Sequence, residues 1–178
     1  MSKRVLCLLV DGFEETEVVT PVNLLRRGGV EVVLASLHGG GVEGRGGIRL
    51  EPDADFEEVD PATFDVLYLP GGPGVMELLG DGRATRLAAE FHAAGKTVAA
   101  ICAAPLILHA AGLLENRRFT AHFSVHGDLP GVLDERVVED GGIVTSRGPG
   151  TATDFGLVLV RRLAGDAVAR DVAAGIMA

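Results

Sequence analysis

The chain lacks tryptophan altogether, holds one tyrosine and two cysteines, and has few aromatic residues of any kind (4%). Sparse aromatics remove the stacking platforms on which single-stranded nucleic acids are bound. Positive charge is also short: 16 basic residues against 25 acidic ones leave a net charge of −9, the wrong sign for a phosphate-backbone partner. Cys7 and Cys102 are too few for a disulfide framework, and no CxxC spacing marks a metal site. No apolar run approaches the roughly 20 residues of a membrane span. The opening "MSKRVLCLLVDGFEE" turns acidic at Asp11 after a short apolar run, so it reads as a buried strand rather than a signal peptide. These absences lead to the expectation of a reduced, cytoplasmic protein with neither a membrane nor a nucleic-acid partner.

What is present suits a single domain over residues 1–178, 47% hydrophobic and 23% charged. Five Val/Leu-rich runs recur: "RVLCLLV" (4–10), "VEVVLAS" (30–36), "DVLYLP" (65–70), "TVAAIC" (97–102) and "GIVTSR" (142–147). Each is bounded by Gly, Pro or Asp, which together with the branched apolar content suits strands covered on both faces. Helical patterns separate them. "ETEVVTPVNLLRRGG" stops at a Gly pair behind Arg26 and Arg27, and "GRATRLAAEFHAAG" stops at Gly95. "TATDFGLVLVRRLAG" opens with Thr151 and Asp154 in capping-box spacing, and "DAVARDVAAGIMA" forms a last short helix. Such alternation predicts a mostly parallel sheet with helices on both faces, a doubly wound α/β fold. "GGGVEGRGGIRLEPDADFEEV" reads as a small hairpin excursion, and "RFTAHFSVHGDLPGVLDERVVED" as an irregular insertion.

Reactive groups in such sheets gather at the carboxyl ends of the strands. Cys102 ends one strand just before Ala103, Ala104 and Pro105. A thiol there faces free backbone N–H groups at a helix start, which favour the thiolate, in the manner of a nucleophile elbow. A free cysteine that merely packs is the other reading, and spacing alone leaves both open. Cys7, inside an apolar strand, reads as inert. "LPGGPG" ends another strand; it is either a tight turn or a place where the Gly72 amide faces a developing oxyanion. In "GFEETEV", capping accounts for Glu14 and Glu15, whereas Glu17 shares a helical face with apolar residues and is drawn inward, beside the thiol. His122 and His126, in the insertion, are either surface residues or acid–base groups. His38, His92 and His109 look structural. No clustered Cys/His pattern suggests a metal, and the glycine-rich stretches lack P-loop and dinucleotide spacing, so no cofactor is expected.

Four stretches, "GFEETEVVTPVNLLRRGGVEV", "DVLYLPGGPG", "AAICAAPLIL" and "VTSRGPGTATDFGL", resemble in order and spacing the ThiJ/PfpI superfamily, nearest to its Parkinson disease protein seven and YajL branch. The resemblance runs over essentially the whole chain. It implies a flavodoxin-like three-layer sandwich, a homodimer, and a reactive cysteine at a strand–helix elbow. It puts the nucleophile on Cys102, a protonated glutamate on Glu17, the oxyanion amides on Gly72 and Ala103, and a nearby histidine on His122. It also implies protection against oxidative stress, by cofactor-free glyoxalase or deglycase action on a small reactive carbonyl or glycated substrate, or as a redox-sensing, chaperone-like protein. A cysteine peptidase is disfavoured, because peptidase members carry His where Ala103 stands, and the amidotransferase His-x-Glu is missing after His122 and His126. The hairpin arginine of some relatives has no match: Gly46 holds the nearest place, with Arg45 one residue off, while Arg27 matches a second family arginine.

Overall fold

Each of the five apolar runs forms a strand, because each is sandwiched between helices. The computed structural model describes residues 3–178. In chain order the elements are β1 (Arg4–Leu9), α1 (Glu15–Arg27), β2 (Glu31–Ser36), β3 (Val42–Glu43), β4 (Arg49–Leu50), β5 (Ala54–Asp55), β6 (Val66–Leu69), α2 (Val75–Asp81), α3 (Arg83–Ala93), β7 (Thr97–Ile101), α4 (Pro105–Ala110), β8 (Val137–Asp140), β9 (Ile143–Ser146), α5 (Ala152–Ala164) and α6 (Asp166–Gly175). Seven strands make one sheet in the order β5-β2-β1-β6-β7-β9-β8, parallel except where β8 runs against β9. The pleat divides β1 between two cores. Leu6 and Leu8 join α2, α3 and α4 on one face; Val5, Cys7 and Leu9 join α1, α5 and α6 on the other. This is the three-layer flavodoxin-like sandwich that the resemblance implies.

The winding reverses between β1 and β6, and the loops that follow these strands are tied together at the carboxyl edge, Glu14 N donating to Gly71 O and Gly74 N to Gly12 O (both 3.1 Å). The loop after β1 does not stand alone. β3 and β4 pair as an antiparallel hairpin, whose tip is bonded to it residue by residue. Gly12 N donates to Glu43 O (2.8 Å), Glu43 N to Asp11 Oδ1 (2.8 Å), Arg45 N to Phe13 O (2.8 Å) and Gly46 N to Glu15 Oε1 (2.6 Å).

Several local expectations change. Asp154 does not complete a capping box with Thr151: its carboxylate holds Arg136, and the Thr151 hydroxyl donates back to Gly148 O (2.8 Å). Glu15 does not cap α1. Glu14 does, accepting from Glu17 N (2.8 Å), while Glu15 clamps the hairpin. The insertion after residue 118 ends in strand β8, and α2 follows "PGGPG" until Gly82, at φ 78°, turns the chain into α3. Among the described residues, no helix is long and apolar enough to cross a membrane.

Candidate functional site

β7 delivers Cys102 to this carboxyl edge in a conformation that few side chains tolerate, φ 66°. Its backbone is pinned on both sides. Cys102 N donates to Ser146 O (2.9 Å) and Cys102 O accepts from His122 N (2.8 Å). Pro105 then opens α4 without needing a hydrogen-bond partner for its nitrogen. The result is a sharp elbow with the thiol at its apex, 8% exposed.

The turn after β6 wraps around that apex. The backbone amides of Gly72 and Ala103 favour the thiolate form of that sulfur. Gly71 N donates to Glu17 Oε2 (2.9 Å), so the neighbouring glycine holds the carboxyl. Neither glycine has room for a side chain. A Cβ on Gly71 would sit 2.5 Å from both Cys102 Cβ and Glu17 Oε2, and one on Gly72 would sit 2.4 Å from Gly12 O, where φ is already 97°. Position at a strand end marks Gly72 in the sequence but leaves the part played by Gly71 unmarked. The doubled glycine at the switch-point strand was the available signal.

Glu17 itself is fully buried, and its Oε1 has no hydrogen-bond partner. Burial pushes the carboxyl up to about 7, against the opposing pull of its bonds to Cys102 and to the Gly71 amide; the Glu14 charge adds to the rise and Arg45 counters it. Cys102 departs from expectation in sign. The Gly72 and Ala103 amides do favour the thiolate, but burial and then the charge of Glu17 outweigh them and push the thiol up to about 12. An elbow alone does not ionise the sulfur. The carboxyl and thiol act as one unit, which readily gives up one proton and resists giving up a second.

His122 enters through its main chain, which supports the Cys102 carbonyl. Its ring lies over Phe123 (4.1 Å between centroids), and Nδ1 engages Ser124 Oγ at 2.8 Å. Burial, then His126 and Arg45, hold the imidazole below its usual range, so it stays neutral. A cleft of about 470 Å³ opens beside it, walled by Ala121, His122, Phe123, Gly148 and Pro149. His126 bonds Ala121 O (3.3 Å), and Arg27 bonds Asn23 on the exposed face of α1 (2.8 Å). Arg45 sends its positive field to Glu15, Glu17 and His122. Among the described residues, no group of three His, Cys, Asp or Glu stands together as a metal site.

Known proteins share this arrangement over most of its length. Protein dj-1beta of Drosophila melanogaster is 37% identical over 183 residues, covering 99% of this chain and 98% of its own. Its crystal structure superposes with a TM-score of 0.95 at 36% identity, over 99% and 98% of the two chains. A deglycase of Pyrococcus abyssi is 40% identical over 151 residues, 83% of this chain and 91% of that one. Oxidized DJ-1 of Toxoplasma gondii gives a TM-score of 0.93 at 31% identity, over 99% and 98%. Residues 3–162 match the model of the DJ-1/PfpI family, a span that takes in the elbow, the glycine pair, Glu17 and the hairpin; the chain belongs to that family.

Proposed function

We propose that this protein is a cofactor-free enzyme of the deglycase and glyoxalase type, acting on α-oxoaldehydes and their adducts through Cys102. One observation carries the reading: a strained, pinned thiol, a buried carboxyl and two converging amides meet at a single point. Glu17 titrates near 7, so at neutral pH a large share of it is ionised and able to take the Cys102 proton. The sulfur adds to the aldehyde carbon, and the Gly72 and Ala103 amides turn from sulfur to the new oxyanion. Glu17 then carries the proton from the former aldehyde carbon to the neighbouring carbon through an enediol, with the neutral His122 ring at the cleft side. This leaves a 2-hydroxyacyl thioester, and water cleaves it to the hydroxy acid and the free thiol. When the former aldehyde carbon carries an amine as a hemiaminal, sulfur forms the C–S bond as the C–N bond breaks, the amine leaves with the thiol proton passed on by Glu17, and the same hemithioacetal results; this is the deglycase outcome. The deglycase name of the Pyrococcus abyssi relative supports this reading.

The test follows methylglyoxal to lactate in wild type and Cys102→Ser, with buffer controls for spontaneous adduct reversal. Equal rates overturn the proposal. The unpartnered Oε1 of Glu17 favours a second role: a protonated carboxyl there donates to a sulfinate formed on Cys102, making the protein a redox sensor with chaperone-like action. Mild peroxide should then add two oxygens to Cys102 and none to Cys7 by mass spectrometry. Equal oxidation of both removes this role. We further propose a homodimer in a reducing, cytoplasmic compartment. Exposed Val19 (49%) on α1 and Ile48 (57%) on the hairpin support the pairing.

A further inference from the structure

Helix α1 contains Pro21 in its interior. Proline has no N–H, so the carbonyl four residues earlier loses its helical donor. That carbonyl belongs to Glu17, a residue with no solvent exposure, and a buried carbonyl without a partner is strongly unfavourable. The missing donor comes from another layer of the molecule. Tyr68, fully buried on β6, directs its hydroxyl to Glu17 O. Three residues further along the same chain, Gly71 N bonds the Glu17 carboxyl. One short segment, 68–71, therefore grips Glu17 at both its main chain and its side chain.

We propose that Tyr68 is a positioning residue: its hydroxyl replaces the donor removed by Pro21 and so fixes the distance between the Glu17 carboxyl and the Cys102 sulfur. This inference rests on the reading of Glu17 and Cys102 as a working pair. The ring is held against Phe155 on α5 (centroids 5.5 Å apart, 52° between planes) and sits beside Cys7 in the sheet register. Burial first, and the nearby acidic groups after it, keep the phenol protonated far above its ordinary range, so it remains a donor throughout the working pH range.

Without the hydroxyl, the Glu17 carbonyl turns toward another donor and the first turns of α1 follow, withdrawing the carboxyl from sulfur. After burial, Glu17 is what holds the thiol up, so with the carboxyl withdrawn the thiol must titrate lower.

Tyr68→Phe keeps the ring and removes the donor. The rate of iodoacetamide alkylation at Cys102, read peptide by peptide against pH, should show a midpoint lower by roughly one unit, a tenfold change in the proton equilibrium. The shift should vanish when Tyr68→Phe is made on top of Glu17→Gln. Adding Pro21→Ala to Tyr68→Phe returns a main-chain N–H to position 21, and the midpoint should return with it. Because the chain has one tyrosine and no tryptophan, its near-ultraviolet signal on the long-wavelength side of the phenylalanine bands reports Tyr68 alone and verifies the environment of the phenol in Glu17→Gln. A drop in melting temperature with an unmoved midpoint overturns the inference, as does an equal shift in the Glu17→Gln background. Should Tyr68→Phe fail to fold, the Tyr68→Phe/Pro21→Ala pair decides: a folded protein with the wild-type midpoint supports the inference, and failure to recover overturns it. Alkylation needs no turnover, so loss of the methylglyoxal reaction as the proposed function leaves this outcome readable.

Discussion

The two cysteines form an internal experiment. Cys7 lies mid-strand in β1, wholly buried against α1 and α5; Cys102 lies one residue beyond β7, also buried but with 8% of its surface open. Both thiols are pushed up chiefly by burial, Cys7 furthest, with Arg26 pulling against the rise at Cys7. Depth in the protein and acidity therefore do not separate them. What separates them is company. Cys102 has two amide donors and a carboxyl whose own proton affinity lies near neutrality. Ionisation at Cys102 is a transfer between neighbours, whereas at Cys7 it would strand a charge among aliphatic side chains.

The comparison breaks most visibly in turnover. Cys102→Ser should lower methylglyoxal conversion by at least about 10²–10⁴-fold, the size of a proton-transfer contribution alone, whereas Cys7→Ser keeps the rate of the folded fraction. Comparable losses in both variants would erase the distinction. Next comes the pH dependence of stability. The folded-state pKa of Glu17, about 7, stands above its ordinary 4.5, so the stability it confers is complete below 4.5 and is lost as pH rises through 7. Glu17→Gln lacks this loss. Relative to wild type it should gain about 3 kcal/mol between pH 4.5 and 8 in urea unfolding, and parallel curves would show that the carboxyl is not held protonated. The smallest effect belongs to Cys7→Ser, which puts a hydroxyl among apolar neighbours and should cost about 1–3 kcal/mol at any pH from 5 to 8. A neutral substitution would mean that a hydrogen-bond partner is within reach of that strand.

The main strands and their covering helices were readable in the sequence because burial on both faces leaves continuous apolar runs, such as Val66–Leu69, that few other settings produce. β5 and β8 were not, being two and four residues long and partly polar at the sheet edges. At the site, Cys102 and Gly72 stood out because a thiol and glycines at strand ends are locally unusual. Gly71 and Tyr68 did not, since each is defined by Glu17, whose carboxyl arrives from 54 residues away and whose carbonyl from 51. The sign at Cys102 was misread for the same reason. Its amides are neighbours in sequence or motif, whereas the burial and the carboxylate that overrule them exist only after folding.

The hairpin of β3 and β4 has a consequence for how freely this chain can change. Four of its five bonds to the loop after β1 and the first residue of α1 use hairpin N–H groups, and the fifth uses a hairpin carbonyl, so every hairpin atom involved is main chain. Side chains there, Gly44 and Gly46 excepted because Glu15 fills their space, can be exchanged without untying the knot. Related chains can therefore dress this rim differently and meet different molecules at it, while the loop that presents Glu17 keeps its shape.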